Sequence, residues 1–166
     1  MKTEKPDVPR VVPFAIQRLG PADRERILRH LASLDEGDRS LRFGVAHDAD
    51  ALARYVAGID FETSSVLGAV LTDGSLIGVA HIALSDAVAE LGISVLPGQR
   101  QKGVAGALAG AALREAQRMG AIEFRFESAV SNAGMRRLAR QLDMHISADG
   151  PDLLAHRPLG VPDARA

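Results

Sequence analysis

The chain has no cysteine and no tryptophan, one tyrosine and five phenylalanines. Without cysteine, disulfides, thiolate metal sites and cysteine nucleophiles are excluded. An excess of charge is missing too: 20 basic and 21 acidic residues leave a formal net charge of −1 with the signs interspersed. Such a chain exerts no global pull on nucleic acid or anionic lipid, so neither is expected as a partner. No segment approaches the ~18 uninterrupted apolar residues of a membrane span, and MKTEKPDVPR at the amino terminus has no secretory apolar run behind it. A cytoplasmic protein is expected. The five histidines, His30, His47, His81, His145 and His156, show no ligand spacing, and no metal is expected.

What the sequence does hold is enough apolar residue, 46% of 166 positions, for one compact core. Residues 1–10, charged and proline-containing, read as a loose tail, and 11–166 as a single domain. VVPFAIQRL reads as a first strand, with Pro13 placing it at an edge or bend. PADRERILRHLASL has a helix stripe of Ile27, Leu28, Leu31 and Leu34, and DADALARYVAGI a second with Leu52, Tyr55 and Val56. SSVLGAVLTDGSLIGVAHIAL is two strand-like runs around Asp73-Gly74, the strongest short hairpin signal here. AELGISVL is a further strand. Val104, Leu108, Ala111, Ala112, Ala116 and Met119 then fall at helical spacing up to Gly120. IEFRFE alternates as a strand, SNAGMRRLARQLDM is helical, and MHIS and DLLAH close the chain as strands. The order β-α-α-β-β-β-α-β-α-β-β predicts an α/β (α+β) fold with a mixed, mostly antiparallel sheet flanked by helices.

One stretch departs from this ordinary pattern. PGQRQKGVAGAL, Pro97 to Leu108, joins a strand to a helix through glycines and long polar side chains. That junction sets unpaired backbone N–H groups and the positive end of a helix at one point, which favours an anion such as a phosphate or diphosphate. A Walker loop has lysine and serine or threonine where Val104 and Ala105 stand, so a nucleotide triphosphatase is not supported. The dinucleotide fingerprint fails for want of its first glycine pair. What remains is arginine-x-x-glycine-x-small: Arg100, Gly103 and Ala105.

In this pattern ISVLPGQRQKGVAGAL resembles the acyl-coenzyme A motif of the GNAT superfamily of N-acetyltransferases. SNAGMRRLARQLDM is similar to that family's asparagine-bearing segment, so the resemblance covers Ala89 to Met144. DRSLRF, Asp38 to Phe43, and Met135 look most like the protein-lysine acetyltransferase branch. The resemblance implies acetyl-coenzyme A as cosubstrate and direct transfer to a primary amine: a protein lysine, a protein amino terminus or a small molecule. It implies that Arg100, Gln101, Lys102, Gly103, Val104, Ala105 and Gly106 hold the diphosphate. Ile93, Ser94 and Val95 would then offer backbone to the pantetheine and oxyanion, and Asn132 would lie near the pantetheine arm. Glu90 resembles the base of the lysine branch, or is an ordinary solvated strand carboxylate. Glu127 corresponds to a base of ribosomal-protein acetyltransferases, yet it shares a strand face with Glu123 and Arg125, which favours a solvated or salt-bridged role.

The resemblance also exposes departures. Ala139 stands where many members carry a tyrosine acid, and Asp143 and Met144 replace a usual glycine and aromatic. Tyr55, on an apolar stripe, reads as a core residue, as does His81 in GVAHIAL. Arg136, Arg137 and Arg140 form a basic helix face, and Asp60 and Glu62 a charged loop. The missing acid leaves open a non-catalytic acyl-coenzyme A sensor on the same scaffold. Monomer and homodimer are both compatible with the sequence.

Overall fold

The computed structural model describes residues 13–161; the expected tail, residues 1–10, and the first two residues of the first predicted strand lie outside them. The chain runs β1 (Phe14–Leu19), α1 (Arg24–Ala32), α2 (Glu36–Phe43), α3 (Ala49–Ala57), β2 (Ser64–Leu71), β3 (Leu76–Ser85), β4 (Val88–Val95), α4 (Val104–Arg118), β5 (Glu123–Ala129), α5 (Ala133–Gln141), β6 (His145–Asp149) and β7 (Asp152–Pro158). Short 3-10 turns at Pro21–Asp23 and Pro97–Gln99 precede α1 and follow β4. The seven strands form one sheet in the order β1-β2-β3-β4-β5-β7-β6. Every neighbouring pair is antiparallel except β4 with β5. None of the described helices is long and apolar enough to cross a membrane.

Pro13 adjoins an edge strand, where the missing donor breaks no ladder bond. The β2–β3 hairpin turns at Asp73-Gly74, with Gly74 at φ +87° and the Asp73 carboxylate accepting from Ser75 N–H. The two faces of the sheet bury separate cores. On one, α4 and α5 pack Leu108, Ala112, Ala116 and Leu138 against Ile82, Leu91, Phe124 and Phe126. On the other, α1 and α3 pack Ile27, Leu31, Leu52 and Val56 against Val66 and Val79.

The element order predicted from sequence lacks one helix, α2. It buries no side chain, and its apolar residues Leu41 and Phe43 make no stripe, so periodicity cannot find it. Its ends are nevertheless marked. Asp35 caps the start by accepting from Asp38 N–H at 2.7 Å, and Gly44 closes the end at φ +79°.

Candidate active site

The sole parallel junction of the sheet is short. β4 and β5 are in register only at Val88–Glu123, Ala89–Phe124 and Glu90–Arg125. Beyond Glu90 the two strands part, while β4 stays paired with β3 as far as Val95. The parting leaves Leu91–Val95 with a free edge, and a cavity of about 740 Å³ opens there between the loop before α4, the start of α5 and helix α2. Alternation along β4 sends Leu91, Ile93 and Val95 toward α4 and α5, and Glu90, Gly92 and Ser94 toward α1–α3. The cavity therefore has an end on each face of the sheet.

The α4 end is made of backbone. Leu96, restricted by the proline after it, leaves the strand extended, and the turn Pro97–Gln99 follows. Gln101 at φ +59° and Gly103 at φ +81° then turn the chain left-handed on either side of Lys102. Left-handed residues in a tight loop turn successive N–H groups toward one point, a nest for an anion. Gly103 is the N-cap of α4 and supplies no side-chain cap. The first helical bond runs from Ala107 N–H to Gly103 O at 3.1 Å, so the amides of Val104, Ala105 and Gly106 have no partner within the helix. No Cβ-sized obstacle lies within 4 Å of Gly103.

The α1–α3 end is made of side chains. Asp38, Leu41 and Arg42 of α2 line the cavity. Asp38 forms an ion pair with Arg100 at 2.9 Å, tying α2 to the anion loop, and Arg100 Nε also donates to Val95 O. Arg42 lies over Gly92, in space that a side chain at 92 would fill. It donates to the Tyr55 hydroxyl at 3.0 Å, and that hydroxyl shares a hydrogen bond with His81 Nδ1 at 2.5 Å. Burial, aided by the charge of Arg42, pushes the His81 imidazole down to about 4. His30 is likewise lowered to about 4, chiefly by burial. Its Nδ1 faces Leu76 O, which can only accept, so Nε2 is the atom that accepts from Ser94 Oγ at 2.8 Å.

Of the residues singled out for the cofactor, Ile93, Ser94, Val95, Arg100, Gln101, Gly103, Val104, Ala105, Gly106 and Asn132 line the cavity. Lys102 does not; its ammonium turns back to Gly98 O at 3.0 Å. Asn132 caps α5, its Oδ1 accepting from Met135 N–H at 3.2 Å.

The two candidate carboxylates have different surroundings. Glu90 is the salt-bridged one: its Oε1 accepts from both Nε and Nη2 of Arg125, at 3.0 and 2.6 Å. Glu127 lines the cavity and has no ion-pair partner among the described residues. Strand alternation grouped Glu127 with Glu123 and Arg125, but did not show that Arg125 would pair with Glu90 of the neighbouring strand. Ala139 is fully buried in the α4–α5 core, and Tyr55 serves Arg42 and His81 rather than the core alone. Asp143 adopts φ +52°, the conformation a glycine would take there, and Met144 is buried. Asp60 accepts from Glu62 N–H and Thr63 Oγ1 as an exposed loop residue. Sequence reasoning missed Asp38 and Arg42 as cavity residues, although the caps of α2 would have set them one turn apart on a helix.

A mixed sheet parted beside its parallel junction, with an uncapped helix opening into the gap, defines an α/β domain with a cleft at the parting strands. Residues 29–144 match the model of the acetyltransferase (GNAT) family, and the chain belongs to that family. No curated protein matches it by sequence. Solved structures share its fold at low identity. The GNAT domain of S. lividans PAT is 17% identical with a TM-score of 0.75, over 88% of this chain and 90% of that one. The paia N-acetyltransferase of Thermoplasma acidophilum, in complex with coenzyme A, is 18% identical with a TM-score of 0.68, over 89% and 99%. A phosphinothricin acetyltransferase of Sinorhizobium meliloti, in complex with acetyl-coenzyme A, is 16% identical with a TM-score of 0.70, over 92% of each chain.

Proposed function

We propose that the protein transfers an acetyl group from acetyl-coenzyme A to a primary amine by direct attack on the thioester. The observation that carries this reading is the uncapped start of α4, whose free amides and left-handed Gly103 open into the cleft between β4 and β5. Those amides, with Arg100 at the rim, suit a diphosphate, and the free edge of Leu91–Val95 offers backbone groups to an extended pantetheine. The family membership and the coenzyme complexes of structural relatives support the same ligand.

Glu127 is the base in this reading, because it is the cavity-lining carboxylate without an ion pair. Glu90 is held by Arg125 and does not line the cavity. The amine nitrogen bonds to the carbonyl carbon, Glu127 or a water it holds accepts the amine proton, and the carbon–sulfur bond breaks. A backbone N–H of Ile93–Val95 faces the developing oxyanion. No tyrosine lines the cavity, and a thiolate with a pKa near ~8.5 leaves unprotonated or collects a proton from water. The buried Ala139 also favours a second reading, a non-catalytic acyl-coenzyme A sensor.

Incubation with acetyl-coenzyme A and a panel of amines, read by thiol release and by the mass of acetylated product, separates the two. Product formation that falls in Glu127→Gln supports the transferase. Tight coenzyme binding with no turnover of any amine supports the sensor, and absence of coenzyme binding overturns both.

A further inference from the structure

Arg42 is a cation that no carboxylate among the described residues neutralises. Asp38 and Arg42 stand four apart on α2 with the acid first, the favourable order for a helical ion pair. The Asp38 carboxylate is instead engaged by Arg100 at 2.9 Å, and no other carboxylate among the described residues pairs with Arg42. The guanidinium is half-buried and fixed, 4.5 Å from the Phe43 ring centre and 5.7 Å from that of Tyr55, with the Tyr55 hydroxyl taking one of its donors. Gly92 supplies the flat floor beneath it. The nearby imidazoles of His30 and His81 offer no negative charge. A half-buried charge is normally paired, so a positioned guanidinium with open donors in a cavity wall marks a place for a ligand's anion.

The position of Arg42 separates that anion from the coenzyme's diphosphate. The anion loop begins after Val95 and belongs to the α4 face, whereas Arg42 covers Gly92 on the α1–α3 face. Glu127 lines the same cavity and, by strand alternation with the buried Phe124 and Phe126, points to the face of Arg42. One end of the cleft thus holds a cation and an anion without partners.

Resting on the transferase reading, we infer that the acetyl acceptor is a small amine that also bears a carboxylate, an amino acid or similar zwitterion, with its carboxylate on Arg42 and its amine toward Glu127. The planar fork of arginine matches a carboxylate bidentately. A polyamine, or a lysine in a chain without a nearby acid, would leave Arg42 unpaired and add a second positive charge beside it.

The test uses free L-amino acids, their carboxamides, spermidine and a lysine peptide blocked at both ends, each with saturating acetyl-coenzyme A. The expected kcat/KM for an acid exceeds that for its carboxamide by roughly 100-fold, the worth of two charge-assisted hydrogen bonds. In Arg42→Gln that ratio falls to about one through a rise in KM, and Arg42→Lys keeps part of it. Coenzyme affinity, measured by calorimetry, moves by no more than about threefold in either variant, as expected for a group off the diphosphate site. An acid-to-carboxamide ratio near one in the wild type, its persistence in Arg42→Gln, or preference for spermidine or the blocked peptide overturns the inference. If nothing is acetylated, the same acids are titrated into the coenzyme-saturated protein. Binding of acids over carboxamides that depends on Arg42 sustains the anion site while the transferase reading fails, and no such binding overturns the site.

Discussion

The two ends of the cleft are built from different materials. The α4 end is backbone: a left-handed pair at Gln101 and Gly103, three free amides and a glycine cap, all between Gln101 and Gly106. The α1–α3 end is side chains brought from separate elements, Asp38 and Arg42 of α2 and Glu127 of β5 around the gap left at Gly92 of β4, with Tyr55 and His81 bonded in a chain behind Arg42. A backbone site binds what every substrate of the reaction shares, and its donors survive most side-chain substitutions. A site made of side chains sets what differs between substrates, and each member is open to single replacement. Substitutions that spare the Asp38–Arg100 pair should therefore leave the other end untouched.

The largest effect expected is at the proposed base. Glu127→Gln lowers kcat by roughly 10²–10⁴, the usual range for a lost general base, while coenzyme affinity holds. Glu90→Gln, whose carboxylate Arg125 already occupies, costs far less. A collapse in Glu90→Gln with activity kept in Glu127→Gln would reassign the base, and stopped-time product assays on both variants decide it.

At the other end, Gly103→Val imposes a branched residue at φ +81° and crowds the loop amides. Losing two amide–anion bonds of about 1.5 kcal/mol each weakens coenzyme binding by roughly 100-fold. Folding survives, because the site around Gly103 is open. Unchanged coenzyme affinity in a folded variant would remove the diphosphate from this loop.

This contrast also explains what could be read in advance. The strand–glycine–helix junction before α4 was legible because its determinants are adjacent, so spacing alone carries them. Strand alternation likewise grouped Glu123, Arg125 and Glu127, and the Asp73-Gly74 signal fixed the hairpin. The α1–α3 end was not legible. Helix α2 buries nothing and so has no apolar period, and the choice of Arg100 over Arg42 by Asp38 is settled only by tertiary packing. His81 and Tyr55 read as separate core residues because nothing local announces a hydrogen bond spanning 26 positions.

Stability should feel pH through the α1–α3 side. His30 and His81 take up protons near pH 6.5 when unfolded but only near 4 when folded. Their contribution is therefore complete above pH 6.5 and is lost as pH falls toward 4, by up to about 3 kcal/mol each. Thermal melts from pH 7.5 to 4 should show this slope, and it should flatten in a His30→Gln, His81→Gln double variant. A slope unchanged in that variant would mean other groups carry it. Glu115, held down to about 2 chiefly by hydrogen bonding from Arg118, adds a further loss only below pH 4.5.

Ala139→Tyr supplies the hydroxyl that many family members have, but in a fully buried position. It should destabilise by about 1–3 kcal/mol through overpacking and give no gain in turnover. A faster enzyme would show that the ring reaches the cleft. The smallest effect is at Asp143→Gly, where relief of the left-handed strain at φ +52° is partly offset by the chain entropy of glycine. The net gain in chemical denaturation should stay under about 1 kcal/mol.

The division of the cleft is tested most directly by calorimetric titration of acetyl-coenzyme A into the wild type, Gly103→Val and Arg42→Gln, all checked for native folding. The predicted result is a roughly 100-fold loss for Gly103→Val and a change within about threefold for Arg42→Gln. The reverse pattern, or equal losses in both, would contradict a backbone coenzyme site at α4 facing a side-chain acceptor site at α2.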